Sequence, residues 1–415
     1  MGNIFSKYTA IISASKYVLL LNITDKIFSF LLLLLFARVL EPDSYGAIVT
    51  IFTLSLTLAA IFDLGLPIYM QRQITIEPHI SSDIFSAVFN TGLVLFLFYI
   101  IAGSVYFYIF YNGLPFLLFI IISIAVYSSQ LVNLCNRALS AKEEFKGQFY
   151  AFLFPRILVV LIFVYSAFIY GLSAELLLAA MLGGFLLNLV FVFINLKKTG
   201  ICFSAKHFSF AAVLPILFSS LPLGLAVVFN YLYDKIDILI ISKMLDFSSV
   251  AYYSIGYGLF KGAAISFSFI LVPAFSRISG ASRDKAAVNV FFKEYTRLIL
   301  IICIAAAAAA FFLADWIIPL LYTERFAASA SILKILAPAI IAAGMNNLTG
   351  TTLNGMGFFK IVMFITLYAL VLNVVLNILF IPRFGIHASA VISVITEYFI
   401  FIVELYYLRK ILRTP

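Results

Sequence analysis

Four polar residues interrupt an otherwise apolar run near the start of the chain. In SKYVLLLNITDKIFSFLLLLLFARV, beginning at Ser15, they are Asn22, Asp25, Lys26 and Ser29. A charge at the centre of a bilayer costs about 2.5–3.5 kcal/mol, so these groups are expected to face protein or water. Asn22, Lys26 and Ser29 recur about once per turn and share one helix face. A second stripe of the same kind is Asn230, Asp234 and Asp237, with Tyr231 and Lys235 beside it. Lys261 stands one turn from Tyr257, Arg156 follows Pro155, and Glu397 lies inside the last apolar run. Lysine, arginine and amide groups suit a phosphorylated, hydroxyl-rich anion. Lys26, Arg156, Lys235, Lys261, Asn22 and Asn230 are therefore the candidate binding residues. Asp25, Asp234, Asp237 and Glu397 are the candidates for coupling to H⁺ or Na⁺.

A plainer reading sets Asp25 against Lys26 and Asp234 against Lys235 as structural charge pairs. Successive helix residues do not face each other, which weakens it. Glu397 has no obvious local partner, while Asp63, Asp315 and Glu404 lie near run ends and are expected at the membrane interface. Asn188, Asn346, Asn347, Asn373 and Asn377, taken singly, are expected to bridge helices by hydrogen bonds.

These residues need long helices to hold them. Hydrophobic residues make up 64% of 415 and charged residues 11%, against about 45–50% and 25% in soluble domains. A soluble domain is excluded. Runs long enough to cross a hydrocarbon core of about 30 Å fall near 15–40, 46–71, 84–110, 114–136, 149–170, 172–196, 211–245, 250–276, 297–321, 333–353, 360–382 and 386–408. That is a twelve-span, all-α membrane protein. The seventh run is too long for one straight span, and Pro215 and Pro222 predict a kink in it.

Most of the 27 Lys and Arg residues fall in loops on the side of the N-terminus, which places both termini in the cytoplasm. The net charge of +9 then faces anionic membrane lipid rather than nucleic acid. Asp25-Lys26-Ile27 recurs as Asp234-Lys235-Ile236, and Leu64-Gly-Leu-Pro67 is echoed by Ile270-Leu-Val-Pro273. The chain reads as two six-helix lobes, 1–196 and 211–415, joined by a cytoplasmic linker 197–210. With six spans each, the lobes are parallel repeats about an axis along the membrane normal, with cargo expected between them.

No HExxH, GxSxG or P-loop pattern occurs, and the three cysteines show no ligand spacing. No catalytic residue, metal site or cofactor is expected. The non-cytoplasmic loops are too short for the outer domain that a membrane-embedded glycan transferase would need.

Several short motifs in fixed order add a family resemblance: Arg38-Val-Leu-Glu-Pro42-Asp-Ser-Tyr-Gly46, Asp63-Leu-Gly65, Val250-Ala-Tyr-Tyr-Ser254, Leu353-Asn-Gly-Met-Gly357 and Ile381-Pro-Arg-Phe-Gly385-Ile-His-Ala-Ser-Ala390. With these the chain resembles, over essentially its full length, the polysaccharide-export branch of the multidrug/oligosaccharidyl-lipid/polysaccharide (MOP) superfamily, the O-antigen flippase (Wzx) type in particular. Glu41 and His387 depart from the usual glycines. The resemblance implies alternating access in the bacterial inner membrane. Its cargo would be an undecaprenyl-diphosphate-linked oligosaccharide, an O-antigen or capsule repeat unit, moved from the cytoplasmic to the periplasmic leaflet. Lys26, Lys235 and Lys261 would hold the diphosphate, and Pro67, Pro222 and Pro273 would be hinges. A polymerase and a chain-length regulator would be partners in the same pathway. The competing reading is an ion-coupled drug antiporter of the same superfamily, against which an excess of lysine argues.

Overall fold

The computed structural model describes residues 2–171, 173–204, 210–266, 268–282 and 284–413; the side chains of 1–15, 170, 205–212, 223, 265–270, 272, 273 and 276 lie outside what it describes. Among the described residues there is no strand. The helices are α1 (Gly2–Val39), α2 (Pro42–Asp63), α3 (Leu66–Ile76), α4 (Ser81–Phe110), α5 (Phe116–Ala141), α6 (Phe145–Tyr170), α7 (Ala174–Lys198), α8 (Phe210–Met244), α9 (Phe247–Ser266), α10 (Ser268–Gly280), α11 (Lys285–Tyr322), α12 (Ser329–Gly355) and α13 (Phe359–Arg413). Helices dominate because a lipid-exposed backbone must satisfy its own hydrogen bonds, and a helix does so within one segment.

Nine helices among the described residues are long and apolar enough to cross a membrane, ten with α8 counted across its bend of 62° at Pro222. Two further observations bring the spans to the expected twelve. The first is that α13 is a hairpin. Gly385 leaves the helical region at φ 61° and ψ −150°, a conformation that costs glycine little. Ser389 Oγ then donates to Asn377 Oδ1. In one straight helix these residues would stand about 18 Å apart. Ile365, Ala369 and Ile400 share one buried cluster, which the same reversal explains. The second is that α9 and α10 follow each other within the eighth apolar run.

The second span is also broken. Leu64 and Gly65 both take positive φ, 47° and 77°, and Pro67 opens α3, where its missing N–H is harmless. Gly65 sits against α8 so closely that a Cβ there would stand 2.5 Å from the Gly224 nitrogen, and one on Gly224 would stand 2.4 Å from the Leu64 carbonyl carbon.

The chain forms two compact units, Met1–Val39 with Ile51–Val228, and Leu40–Thr50 with Phe229–Pro415. In the first, α3, α4, α5, α6 and α7 pack against one another, and Phe85 and Tyr99 of α4 and Phe119 and Ile122 of α5 are buried. In the second, α12 is central and touches α9, α10, α11 and α13. Its buried face is rich in small residues, among them Ala337, Ala342, Ala343, Gly344 and Gly350, which let neighbouring backbones approach. The segment Leu40–Thr50 is tied into this unit by Glu41 to Arg325 at 3.1 Å, by Tyr45 edge-on to Phe326, and by Gly46. A Cβ on Gly46 would fall 1.7 Å from the Phe247 carbonyl oxygen.

Candidate functional site

The second unit gathers most of the expected polar residues into one connected cluster. Its stem is α8, where Asp234 and Asp237 sit three residues apart and so point to the same side. Asp234 pairs with Lys235 at 2.9 Å and with Lys261 of α9 at 3.1 Å, and it accepts from the Tyr257 hydroxyl at 3.1 Å. Lys261 also reaches Glu397 of α13 at 3.3 Å. The second carboxylate oxygen of Glu397 accepts from Asn346 of α12 at 2.6 Å. Asp237 is buried and takes hydrogen bonds from Tyr253 at 2.6 Å, Ser393 at 3.0 Å and Asn377 at 3.0 Å. Two carboxylates, Asp234 and Glu397, therefore share two ammonium groups, Asp237 is held by neutral donors, and aromatic rings of Tyr233, Tyr257 and Phe260 lie within 6 Å of the Lys261 nitrogen.

This geometry bears on three readings of the sequence. Lys235 and Lys261, both candidate binding residues, are each paired with a carboxylate. Sequence neighbours Asp234 and Lys235 do meet, since a lysine stem is long enough to fold back on the adjacent residue. Glu397 has two partners, both distant in sequence and so invisible to local reading. Glu404 is 2% exposed and accepts from the Thr349 hydroxyl inside the unit. Ser393 and Thr349 were not singled out from the sequence, and Tyr253 and Ser389 stood out only as members of family motifs. The signal was present as a polar stripe of α13, Ser389, Ser393, Glu397 and Glu404, at helical spacing.

The first unit holds a separate constellation around Arg156. Pro155 cannot donate to the carbonyl four residues back, and Asn188 of α7 donates its amide to that Ala151 oxygen at 2.8 Å. The Asn188 side-chain oxygen in turn accepts from Arg156 at 3.3 Å. Asp25 of α1 is 3.8 Å from the other guanidinium nitrogen, an ion pair too long for a hydrogen bond. The guanidinium lies 3.5 Å from the centre of the Phe152 ring and within 6 Å of Phe28 and Phe185. Asn188 thus has the bridging role expected of it, and it also orients a cation. Asn22, Lys26 and Ser29 are all exposed, in keeping with one shared face. Lys26 makes no ion pair among the described residues. Asn230 is exposed on α8.

Of the expected hinges, Pro67 is buried beside the Gly65–Gly224 contact, and Pro222 lies at the bend of α8 on its other side. Pro273 falls outside the described side chains.

A profile of the family described as polysaccharide biosynthesis protein matches residues 35–331. An uncharacterized membrane protein of Methanocaldococcus jannaschii, MJ1375, is 28% identical over 274 residues; the match spans 61% of this chain and 62% of that relative, less than two thirds of its length. Among solved structures, a multidrug resistance MATE transporter of the MOP superfamily in an inward-facing conformation superposes with a TM-score of 0.76 at 15% identity, covering 93% of this chain and 94% of the other. The lipid II flippase MurJ in an inward closed conformation gives 0.72 at 16% identity, covering 96% and 87%. A point mutant of the Vibrio cholerae MATE transporter VcmN gives 0.64 at 12% identity, covering 100% and 99%. At these identities the likeness is one of fold.

Proposed function

Starting from a chain that belongs to the polysaccharide biosynthesis protein family and has the MOP-superfamily fold, we propose that it is a transporter rather than an enzyme, a flippase of lipid-linked oligosaccharide. Its cargo on this reading is an undecaprenyl-diphosphate-linked O-antigen or capsule repeat unit. The cargo moves from the cytoplasmic to the periplasmic leaflet of the inner membrane, with both protein termini cytoplasmic and a polymerase and chain-length regulator acting downstream. The observation that carries the reading is the cation Arg156, mostly buried within α6 and set among apolar side chains, with exposed Lys26 one residue along α1 from its partner Asp25. Among the described residues of the first unit, nothing fully neutralises the two. One carboxylate, Asp25, lies 3.8 Å from Arg156 and Lys26 has no ion pair among the described residues, so the pair of cations has positive charge left for a phosphate.

The acid-rich cluster of the second unit fits the energy input. Asp234, Asp237 and Glu397 with Lys235 and Lys261 carry one formal negative charge in excess, which suits uptake of a proton or Na⁺. A cation taken up there compensates a surplus that lysine alone leaves. That same surplus favours the second reading, a drug antiporter with a cationic cargo, since its substrate would complement the cluster.

The experiment is translocation of a fluorescent lipid-linked oligosaccharide in proteoliposomes. Lys26→Ala and Arg156→Gln are expected to reduce the rate at least tenfold with insertion unchanged. Wild-type rates in both variants reject the cationic site, and resistance to cationic dyes on expression, with no oligosaccharide movement, establishes the antiporter.

A further inference from the structure

A cavity of about 330 Å³ opens in the first unit among α1, α6 and α7, lined by Leu31, Leu35, Val160, Val164, Met181 and their neighbours. Two polar side chains belong to its wall, Ser29 and Arg156, and Arg156 lies within 6 Å of the ring of Phe28, the neighbour of Ser29 on α1. From there α1 runs from Ser29 to Leu35, α6 from Arg156 to Val164, and α7 back from Phe185 to Leu177. All three courses lead toward the end of the unit where α1 and α6 stop and α7 begins. The result is an apolar groove about 12 Å long with a guanidinium at its head. Leu31, Val160 and Val164 are 44%, 42% and 58% exposed, so one side of the groove is open. Lys26, one turn before Ser29 on the same exposed face, adds a second cation near the head.

We infer that this groove binds the phosphate end of an isoprenoid lipid in transit, with Arg156 on the phosphate and α1, α6 and α7 around the first part of the tail. The inference rests on the flippase reading above and locates a subsite for its cargo. Three observations select this occupant. An apolar channel ending in one cation complements an amphiphile with one anionic end. The guanidinium offers five donors in a planar fork that matches phosphate; Asn188 takes one, and Asp25 at 3.8 Å takes none as a hydrogen bond. The third is depth. Arg156 is seven residues into the apolar run 149–170, about 10 Å from its start, well inside a hydrocarbon core about 30 Å thick. A resident phospholipid keeps its phosphate at the interface, whereas a lipid being carried across must bring it to this depth. Asp25 then acts as the competitor: its carboxylate and the phosphate share one guanidinium, so neutralising Asp25 strengthens lipid binding.

The test uses the full chain in phosphatidylcholine nanodiscs and radiolabelled polyprenyl monophosphate, a probe without the glycan. Tight retention is expected, with competition at least tenfold weaker by uncharged polyprenol, by inorganic diphosphate and by phosphatidylglycerol. Arg156→Gln lowers affinity at least tenfold, Arg156→Lys less, and Asp25→Asn raises it several-fold. Leu31→Trp, at an exposed rim position, weakens the long-tailed probe and leaves the weak competition by inorganic diphosphate unchanged. Equal competition by phosphatidylglycerol makes the groove a general anionic-lipid site and overturns the inference, as does wild-type binding in Arg156→Gln and Leu31→Trp. Loss of probe binding with oligosaccharide translocation intact overturns the groove and spares the flippase. Binding retained in a protein that translocates no oligosaccharide overturns the flippase reading and spares the groove.

Discussion

One proline sets the chemistry of the first unit. Pro155 frees the Ala151 carbonyl, Asn188 answers it, and the remaining oxygen of Asn188 orients Arg156. Asn188→Leu removes both bonds at once and leaves a carbonyl and a guanidinium short of partners. It is expected to destabilise by about 1–3 kcal/mol, read as a lowered unfolding midpoint, and to impair transport through Arg156. In the second unit Lys261 lies between Asp234 and Glu397. Lys261→Met leaves Asp234 with Lys235 alone and Glu397 with no cation, which is worse than losing the whole Lys261–Glu397 pair. Adding Glu397→Gln should therefore recover part of the folded yield lost in Lys261→Met, measured by size-exclusion chromatography in detergent. A double variant no better than the single one would show that the pair is not coupled. The sequence already showed that these side chains could not face lipid, because burial of a bare charge is forbidden on energetic grounds alone. It did not show who pairs with whom. Lys261 and Glu397 are 136 residues apart, and nothing in local spacing joins α9 to α13.

The apolar runs mark the helices well because a spanning segment must be long and apolar, a demand that spacing and composition record directly. Breaks are less legible. Pro222 announced the bend of α8, but Gly65 and Gly224 look like ordinary glycines until their backbones are seen within van der Waals contact. The α13 reversal at Gly385 was readable as a boundary between two runs, helped by Pro382. The two tight glycines make a direct comparison possible. A methyl group on Gly224 meets backbone at 2.4 Å, whereas one on Gly184 meets the Val159 side chain at 3.6 Å, an ordinary distance. Gly224→Ala should thus lower the thermal unfolding midpoint by several degrees and restrict the motion expected at Pro67 and Pro222. Gly184→Ala should change the midpoint little, since Val159 need not move. Equal midpoints for the two variants would mean that α8 is free to shift away from Gly65.

Across the whole chain the twelve runs and the family motifs were visible in the sequence, because each is written in consecutive residues. The membership of Leu40–Thr50 in the second unit was not. It depends on Glu41, Tyr45 and Gly46 finding Arg325, Phe326 and Phe247, and no composition shift marks the exchange. Gly46→Ala tests it. The added methyl group collides with the Phe247 carbonyl, so protease sensitivity around Glu41 should rise, while Gly183→Ala, where a Cβ meets nothing within 4 Å, should leave the digestion pattern unchanged. The same exchange bears on how the protein is made. The start of α2 is synthesised early, yet its seat at Phe247 emerges from the ribosome about 200 residues later, on the order of 10–40 s at typical elongation speed. Through that interval the nascent chain must keep Leu40–Thr50 from settling elsewhere, a task for the insertion machinery and a vulnerable period for overexpression.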